Sequence, residues 1–349
     1  MQQTRTNNEA QSEQATEVNA DNPVIEVKNL TTSFTLDEGE LKAVDGVNFS
    51  INQGEVVGVL GESGCGKSVT GRSIMSLIQN PGHSEGSIYW HRPDGSSVDL
   101  LHLKASGRTM RSIRGGEISM IFQEPMTSLS PIHTVRNQIL EAIRLHDSEI
   151  SKKEAEERAV ETLRMVGIPD APTTMGKYPH QLSGGLRQRS MIAIALSTSP
   201  SLLIADEPTT ALDVTVQAQI LQLLKSFQDR MSLSVLYITH SLPVIAEMSE
   251  RVIVMYLGRI VETGKMAEVF ENPMHPYTQG LMRAIPRLDQ ESGERLETIK
   301  GVVPTPLEMP PQCGFCSRCP QVMSGTCDTR IPELREVETN HFVRCFLYE

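Results

Sequence analysis

The chain has 349 residues, 39% of them apolar and 21% charged, ordinary proportions for a globular protein and enough for about two domains. Its 32 Lys and Arg against 43 Asp and Glu give a formal net charge of −11, which removes any global electrostatic case for binding nucleic acid. No uninterrupted apolar run approaches the roughly 20 residues that span a bilayer.

Residues 1–22 are rich in Gln, Asn and Glu and lack an apolar signal-peptide core, so they are expected to form a disordered tail on a chain that stays in the cytoplasm. Val24-Ile25-Glu26-Val27-Lys28 alternates as a strand, a second strand is expected over Leu41 to Ile51, and Asp37-Glu38-Gly39-Glu40 marks the hairpin between them. Phe34 lies just before that turn, placed either to stack on an adenine or to pack in a core.

The apolar run Val56 to Leu60 leads into Gly61-Glu62-Ser63-Gly64-Cys65-Gly66-Lys67-Ser68, and helical spacing begins at Val69. Strand, glycine loop and helix in this order make a phosphate site. Glycines at 61, 64 and 66 let backbone N–H groups turn inward, Lys67 reaches phosphate, and the Ser68 hydroxyl is a Mg²⁺ ligand. Glu85 to Trp90 reads as a further strand. Ile118 to Phe122 is a buried strand ending at Gln123, where an open α/β sheet places ligand contacts.

Between about 130 and 178 the pattern turns helical. Ile139, Ile143 and Leu145 mark an apolar face, and Ser151-Lys152-Lys153-Glu154 is a capping box. Ser183-Gly184-Gly185 at the head of another helix is a second anion-binding turn, unusual in one nucleotide protein. Leu202 to Ala205 is an apolar strand ending in Asp206, suited to Mg²⁺, and Glu207, suited to orienting a water. Ser234 to Thr239 is a strand ending at His240, placed to donate to a phosphate. Arg251–Met255 and Arg259–Gly264 are expected to close the sheet.

These features resemble the nucleotide-binding subunits of ABC transporters over about residues 24–270. Gly61–Ser68 resembles Walker A, Gln123 the Q-loop, Leu182–Arg189 the signature, Leu202–Glu207 Walker B with its catalytic Glu, Ala211-Leu212-Asp213 the D-loop, and His240 the switch His. Ser241 departs from the Asp common there. Gln123–Pro131, Ala205–Gln219, His275-Pro276-Tyr277-Thr278 and Ile285-Pro286-Arg287-Leu288 are similar to the dipeptide/oligopeptide permease ATP-binding subunits.

The resemblance implies an α/β P-loop NTPase of the ABC type, with a RecA-like core, an antiparallel β subdomain and the helical subdomain at 130–178, all within residues 23–270. Residues 271–349 would be a small cysteine-rich C-terminal extension. It implies ATP and Mg²⁺ held by Phe34, Gly61 to Val69, Gln123 and Asp206, with catalysis by Lys67, Gln123, Glu207 and His240. Ser183, Gly184 and Gly185 would cover the nucleotide of a second, homologous ATPase subunit. Two transmembrane permease subunits and, indirectly, an extracytoplasmic substrate-binding protein complete the implied assembly, at the cytoplasmic face of the membrane. The implied cargo is di- and oligopeptides, with nickel or oligosaccharides carried by relatives. A soluble ABC ATPase acting on nucleic acid is the reading from another class, and the acidic balance fits it poorly. The thiol of Cys65 is expected to line the occupied nucleotide site.

Five cysteines, at 313, 316, 319, 327 and 345, crowd the end of the chain. Their spacing resembles part of a ferredoxin run and is also compatible with zinc. The permease resemblance implies a [4Fe–4S] cluster on Cys313, Cys319, Cys327 and Cys345, with Cys316 as an alternative ligand.

Overall fold

The structure, a computed structural model, describes residues 23–123, 128–210, 212–284, 298–307 and 309–349. The tail at 1–22, residues 124–127 of the Gln123–Pro131 stretch, Ala211 and Ile285 to Leu288 lie outside the described residues.

Among the described residues two sheets form, with orders β2-β1-β4-β5 and β11-β12-β10-β9-β3-β8-β7-β6. The smaller uses β1 (Pro23–Leu36), β2 (Gly39–Asn52), β4 (Gly82–His91) and β5 (Ser97–Asp99), all antiparallel. The hairpin closes with Leu36 opposite Gly39, so the turn falls where its Asp-Glu-Gly signal stands. Ile25, Val27 and Leu30 on β1 are buried while Lys28 and Asn29 are exposed; a register shift between Val27 and Leu30 breaks the strict alternation and returns Leu30 to the buried side.

The larger sheet is mainly parallel, built from β3 (Val56–Leu60), β6 (Ile118–Ile121), β7 (Leu202–Asp206), β8 (Ser234–Thr239) and β9 (Arg251–Tyr256). Every residue of β3, β7 and β8 is buried. That is why these strands read as unbroken apolar runs rather than alternating ones. β10 (Arg259–Lys265) pairs antiparallel with β9 but does not end the sheet as expected. β12 (His341–Val343) adds to its free edge, and β11 (Arg335–Glu338) adds to β12. An open β10 edge would expose unpaired N–H and C=O groups, and the returning C-terminal segment covers them.

The expected helical region holds α3 (Val135–His146), α4 (Lys152–Met165) and α5 (Ala171–Met175); α1 (Lys67–Ile74) and α2 (Arg108–Ile113) precede it. The capping box forms: Ser151 Oγ accepts from Glu154 N (3.2 Å), and Glu154 Oε2 from Ser151 N (3.0 Å). Ile139 and Ile143 are buried and anchor α3 to the core, each contributing about 1.5–3 kcal/mol by burial. Leu145, expected on the same face, is 73% exposed. It lies two residues beyond Ile143, about 200° around the helix.

Candidate active site

Parallel β3, β7 and β8 deliver the loops that follow them to one edge of the sheet. Gly61 to Gly66 turns from β3 into α1. Gly66 has φ 99°, and a Cβ there would collide with the Ala43 carbonyl, so glycine is required. Lys67, 5% exposed, folds back across the loop. Its Nζ donates to the carbonyls of Gly61 (2.7 Å) and Glu62 (3.0 Å). An ammonium inside the loop, beside the helix N-terminus, makes the cradle attractive to phosphate. Ser63 and Gly64 form the exposed tip, while Ser68 and Val69 begin the first turn of α1.

Cys65 is the least accessible side chain of the loop's turn. Its thiol is 1% exposed, packed in the core beneath the loop, and burial pushes its pKa up. Its Sγ accepts from Lys67 Nζ at 3.8 Å, so the thiol sits beneath the ammonium rather than open to solvent.

Ser68 Oγ donates to Asp206 Oδ1 at 2.8 Å. Asp206 is fully buried, burial raises its carboxyl pKa, and Oδ2 has no hydrogen-bond partner. An orphaned buried carboxylate oxygen next to a hydroxyl is the oxygen-rich environment that Mg²⁺ takes.

Glu207, directly after β7, adopts φ 48°, a left-handed conformation uncommon for a non-glycine residue and frequent at functional sites. Its Oε1 lies 2.8 Å from His240 Nδ1, and Oε2 accepts from Thr210 Oγ1 (2.7 Å) and Gln123 Nε2 (3.2 Å). Burial pushes this carboxyl up, but the hydrogen bonds from His240 and Thr210 outweigh it and hold the pKa below the usual range. The group is thus an ionised acceptor at neutral pH. Gln123, Glu207 and His240, expected from three separate strand ends, meet here. Thr210 was not anticipated, and its only signal was its place three residues after Glu207. Ser241 caps α7 (Leu242–Met248) without a side-chain bond, its N–H donating to Thr239 Oγ1 at 3.1 Å.

Ser183 caps α6 (Gly184–Leu196) by accepting from Leu186 N at 3.4 Å. Ser183 and Gly184 are exposed, and among the described residues no hydrogen bond joins 183–185 to 61–68. Phe34 is half-buried on β1, opposite Leu41 and Gly82 in the two registers, with its ring at the face of Gly82.

The C-terminal cysteines gather without forming an evident ion site. Cys313, Cys316, Cys319, Cys327 and Cys345 line one small cavity of about 10 Å³ beside His275. Burial pushes the Cys313 thiol up to about 12 and Cys345 to about 11. Among the described residues no group of three or more His, Cys, Asp or Glu is arranged to hold a metal ion. The side-chain arrangement therefore supplies no support for either the cluster or zinc.

Three side chains to which sequence reasoning gave no role join this segment to the sheet and the site. Glu262, fully buried on β10, accepts from Met274 N (2.8 Å), His275 N (2.9 Å) and His341 Nε2 (2.8 Å). Tyr277 and Arg318 reach Glu62 of the phosphate loop.

Residues 44–210 match the ABC transporter family, and residues 261–327 match the oligopeptide/dipeptide transporter C-terminal region. The oligopeptide transport ATP-binding protein AppD of Bacillus subtilis is 50% identical over 328 residues, 93% of this chain and 97% of that protein. The dipeptide transport ATP-binding protein DppD of the same organism is 46% identical, covering 93% and 95%. Among solved structures, the dimeric cassette MJ0796, described as a bacterial ABC transporter cassette, is 31% identical with a TM-score of 0.61, covering 69% of this chain and 98% of that one. Its post-hydrolysis dimer bound to ADP and Pi is similar to the same degree, at TM-score 0.61. The chain belongs to the ATP-binding proteins of the oligopeptide/dipeptide ABC transporter family.

Proposed function

We propose that the chain is the ATP-hydrolysing subunit that energises a membrane importer of di- and oligopeptides. The observation that carries this reading is the convergence of Gln123, Thr210 and His240 on Glu207, beside Lys67, Ser68 and Asp206, in a chain 50% identical to an oligopeptide transport ATPase. Lys67 would hold the β- and γ-phosphates, Ser68 and Asp206 with Gln123 would hold Mg²⁺, and the remaining loop residues 61–69 would supply backbone contacts. Bound Mg²⁺ would neutralise charge on the phosphoryl oxygens. Glu207 would orient the attacking water and take its proton, and His240 would contact the γ-phosphate. Phe34 would carry the adenine.

The exposed Ser183-Gly184-Gly185 turn would complete the site of a second, homologous ATPase subunit, a reading supported by the dimeric assembly of the MJ0796 cassette. A groove of about 450 Å³ runs between α3 and the core, lined by Phe122, Leu129 and Leu145. It suits a cytoplasmic helix of the permease subunits, which would place this chain at the inner face of the membrane, with an extracytoplasmic binding protein beyond. Residues 23–270 would be the ATPase unit and 271–349 the extension. A [4Fe–4S] cluster on Cys313, Cys319, Cys327 and Cys345 is what the permease resemblance alone implies, and iron and sulfide assay of anaerobically purified protein decides between it and zinc.

Affinity purification of the tagged chain tests the whole reading. Permease subunits should co-purify, and their binding protein should bind peptides. A binding protein specific for oligosaccharides or nickel would reassign the cargo, and recovery with nucleic acid in place of a permease would overturn the function.

A further inference from the structure

The phosphate loop is braced from outside its own unit. Arg318, in a 3₁₀ turn between Cys316 and Cys319, lies 256 residues from Glu62 in sequence and is 4% exposed in its side chain. Its guanidinium grips the Glu62 carboxylate with both ends, Nη1 to Oε2 at 2.6 Å and Nη2 to Oε1 at 3.0 Å. Two further donors go to Tyr256 Oη (3.2 Å) and the Lys300 carbonyl (3.1 Å). Independently, the Tyr277 hydroxyl accepts from the Glu62 backbone N–H at 2.8 Å. Tyr256, Tyr277 and Phe315 pack together with ring centroids 4.7 to 5.4 Å apart, and Arg318 lies over Tyr256 and Phe315. Glu62 is in turn one of the two residues whose carbonyls hold Lys67 Nζ.

We propose that Arg318 and Tyr277 are positioning residues for ATP, through which the C-terminal extension sets the geometry and charge of the phosphate loop. Two physical effects act together. A glycine-rich loop has few side chains with which to fix itself, and the double hold on Glu62 fixes the carbonyl that orients Lys67. The Glu62 carboxylate, 28% exposed at the mouth of an anion site, would repel a polyphosphate unless a guanidinium neutralised it. Any rearrangement of the cysteine-bearing turn is thereby transmitted to the nucleotide.

The two effects give a signature that a purely architectural role lacks. Isothermal titration of the folded full chain with the magnesium salt of a non-hydrolysable ATP analogue should show about 10-fold weaker binding for Arg318→Gln, about 1.4 kcal/mol. Adding Glu62→Gln should recover part of that loss, because the uncompensated carboxylate is gone. Tyr277→Phe, which removes one oxygen and preserves the aromatic cluster, should weaken binding about 3-fold. Arg330→Gln, which breaks an ion pair between an exposed guanidinium and Glu349 elsewhere in the extension, should bind as the parent does. Unchanged affinity in Arg318→Gln and Tyr277→Phe would overturn the proposal, as would a double variant no tighter than Arg318→Gln alone. If Arg318→Gln does not fold, Tyr277→Phe decides. The proposal rests on the loop's being an ATP site. A parent chain that binds no nucleotide refutes that reading, whereas parent binding with unaffected variants refutes only this proposal.

Discussion

Replacing Glu262 by Gln should loosen the extension from the core sheet at a cost that follows from its three hydrogen bonds. Oε1 accepts from Met274 N and His341 Nε2, and Oε2 accepts from His275 N, all at 2.8 to 2.9 Å in a fully buried position. The amide of Gln keeps one acceptor and turns the other into a donor. With its oxygen at the Oε1 position, the new NH₂ faces the His275 N–H, leaving a buried donor unsatisfied at about 1–3 kcal/mol. The two retained bonds lose their charge assistance, about 1 kcal/mol each. The sum is roughly 3–5 kcal/mol. Urea unfolding followed by circular dichroism, with a second probe for two-state behaviour, measures it. A loss below about 1 kcal/mol would refute the reasoning, since it would mean that the hub contributes no more than one ordinary neutral hydrogen bond. Because Glu262 pairs with Val343 across the β10–β12 contact, the same variant should expose the C-terminal strands to limited proteolysis.

Glu207→Gln should retain ATP binding and lose about 10²–10⁴ in hydrolysis rate; near-parental turnover in a phosphate-release assay would remove Glu207 from its role. Burial holds His275 at about 4, so it stays neutral in the fold while the unfolded chain takes up a proton. Stability is then fully present above pH 6.5 and falls as pH drops toward 4, by up to about 3 kcal/mol. His275→Asn, which retains an acceptor for the Tyr277 N–H, should flatten that slope in pH-dependent unfolding, and an unaltered slope would contradict it. Cys65 in the folded chain should react with iodoacetamide far more slowly than in denaturant, and with little effect of ATP; peptide mapping that finds rapid, ATP-blocked labelling would place the thiol in the site after all.

The convergence of the candidate site residues was legible because each stands at or just after a strand end where chemistry demands a particular residue type. Lys67, Asp206, Glu207, Gln123 and His240 could be placed before any contact was known, since parallel strands must converge their C-terminal ends. The extension was not legible in this way. β11 and β12 are four and three residues long, and their pairing with β10 follows from an open sheet edge rather than from their own composition. The contacts of Arg318 and Tyr277 with Glu62, and of Glu262 with His341, gave no local signal, because each joins residues more than 75 apart in sequence. Leu145 misled by residue type: an apolar side chain in a helical pattern belongs to the core only when its angle around the helix agrees. The burial of the Cys65 thiol could not be read from the motif, since membership in the phosphate loop does not fix how deep a side chain sits.

Peptide uptake by the reassembled transporter tests the central claim most directly. Proteoliposomes containing the co-purified permease, its ATPase subunits and its binding protein are given a labelled oligopeptide, with MgATP on the side of this subunit. The account predicts ATP-dependent accumulation that is lost when Glu207→Gln replaces the parent chain. Accumulation at the parental rate with Glu207→Gln, or uptake indifferent to MgATP, would contradict it.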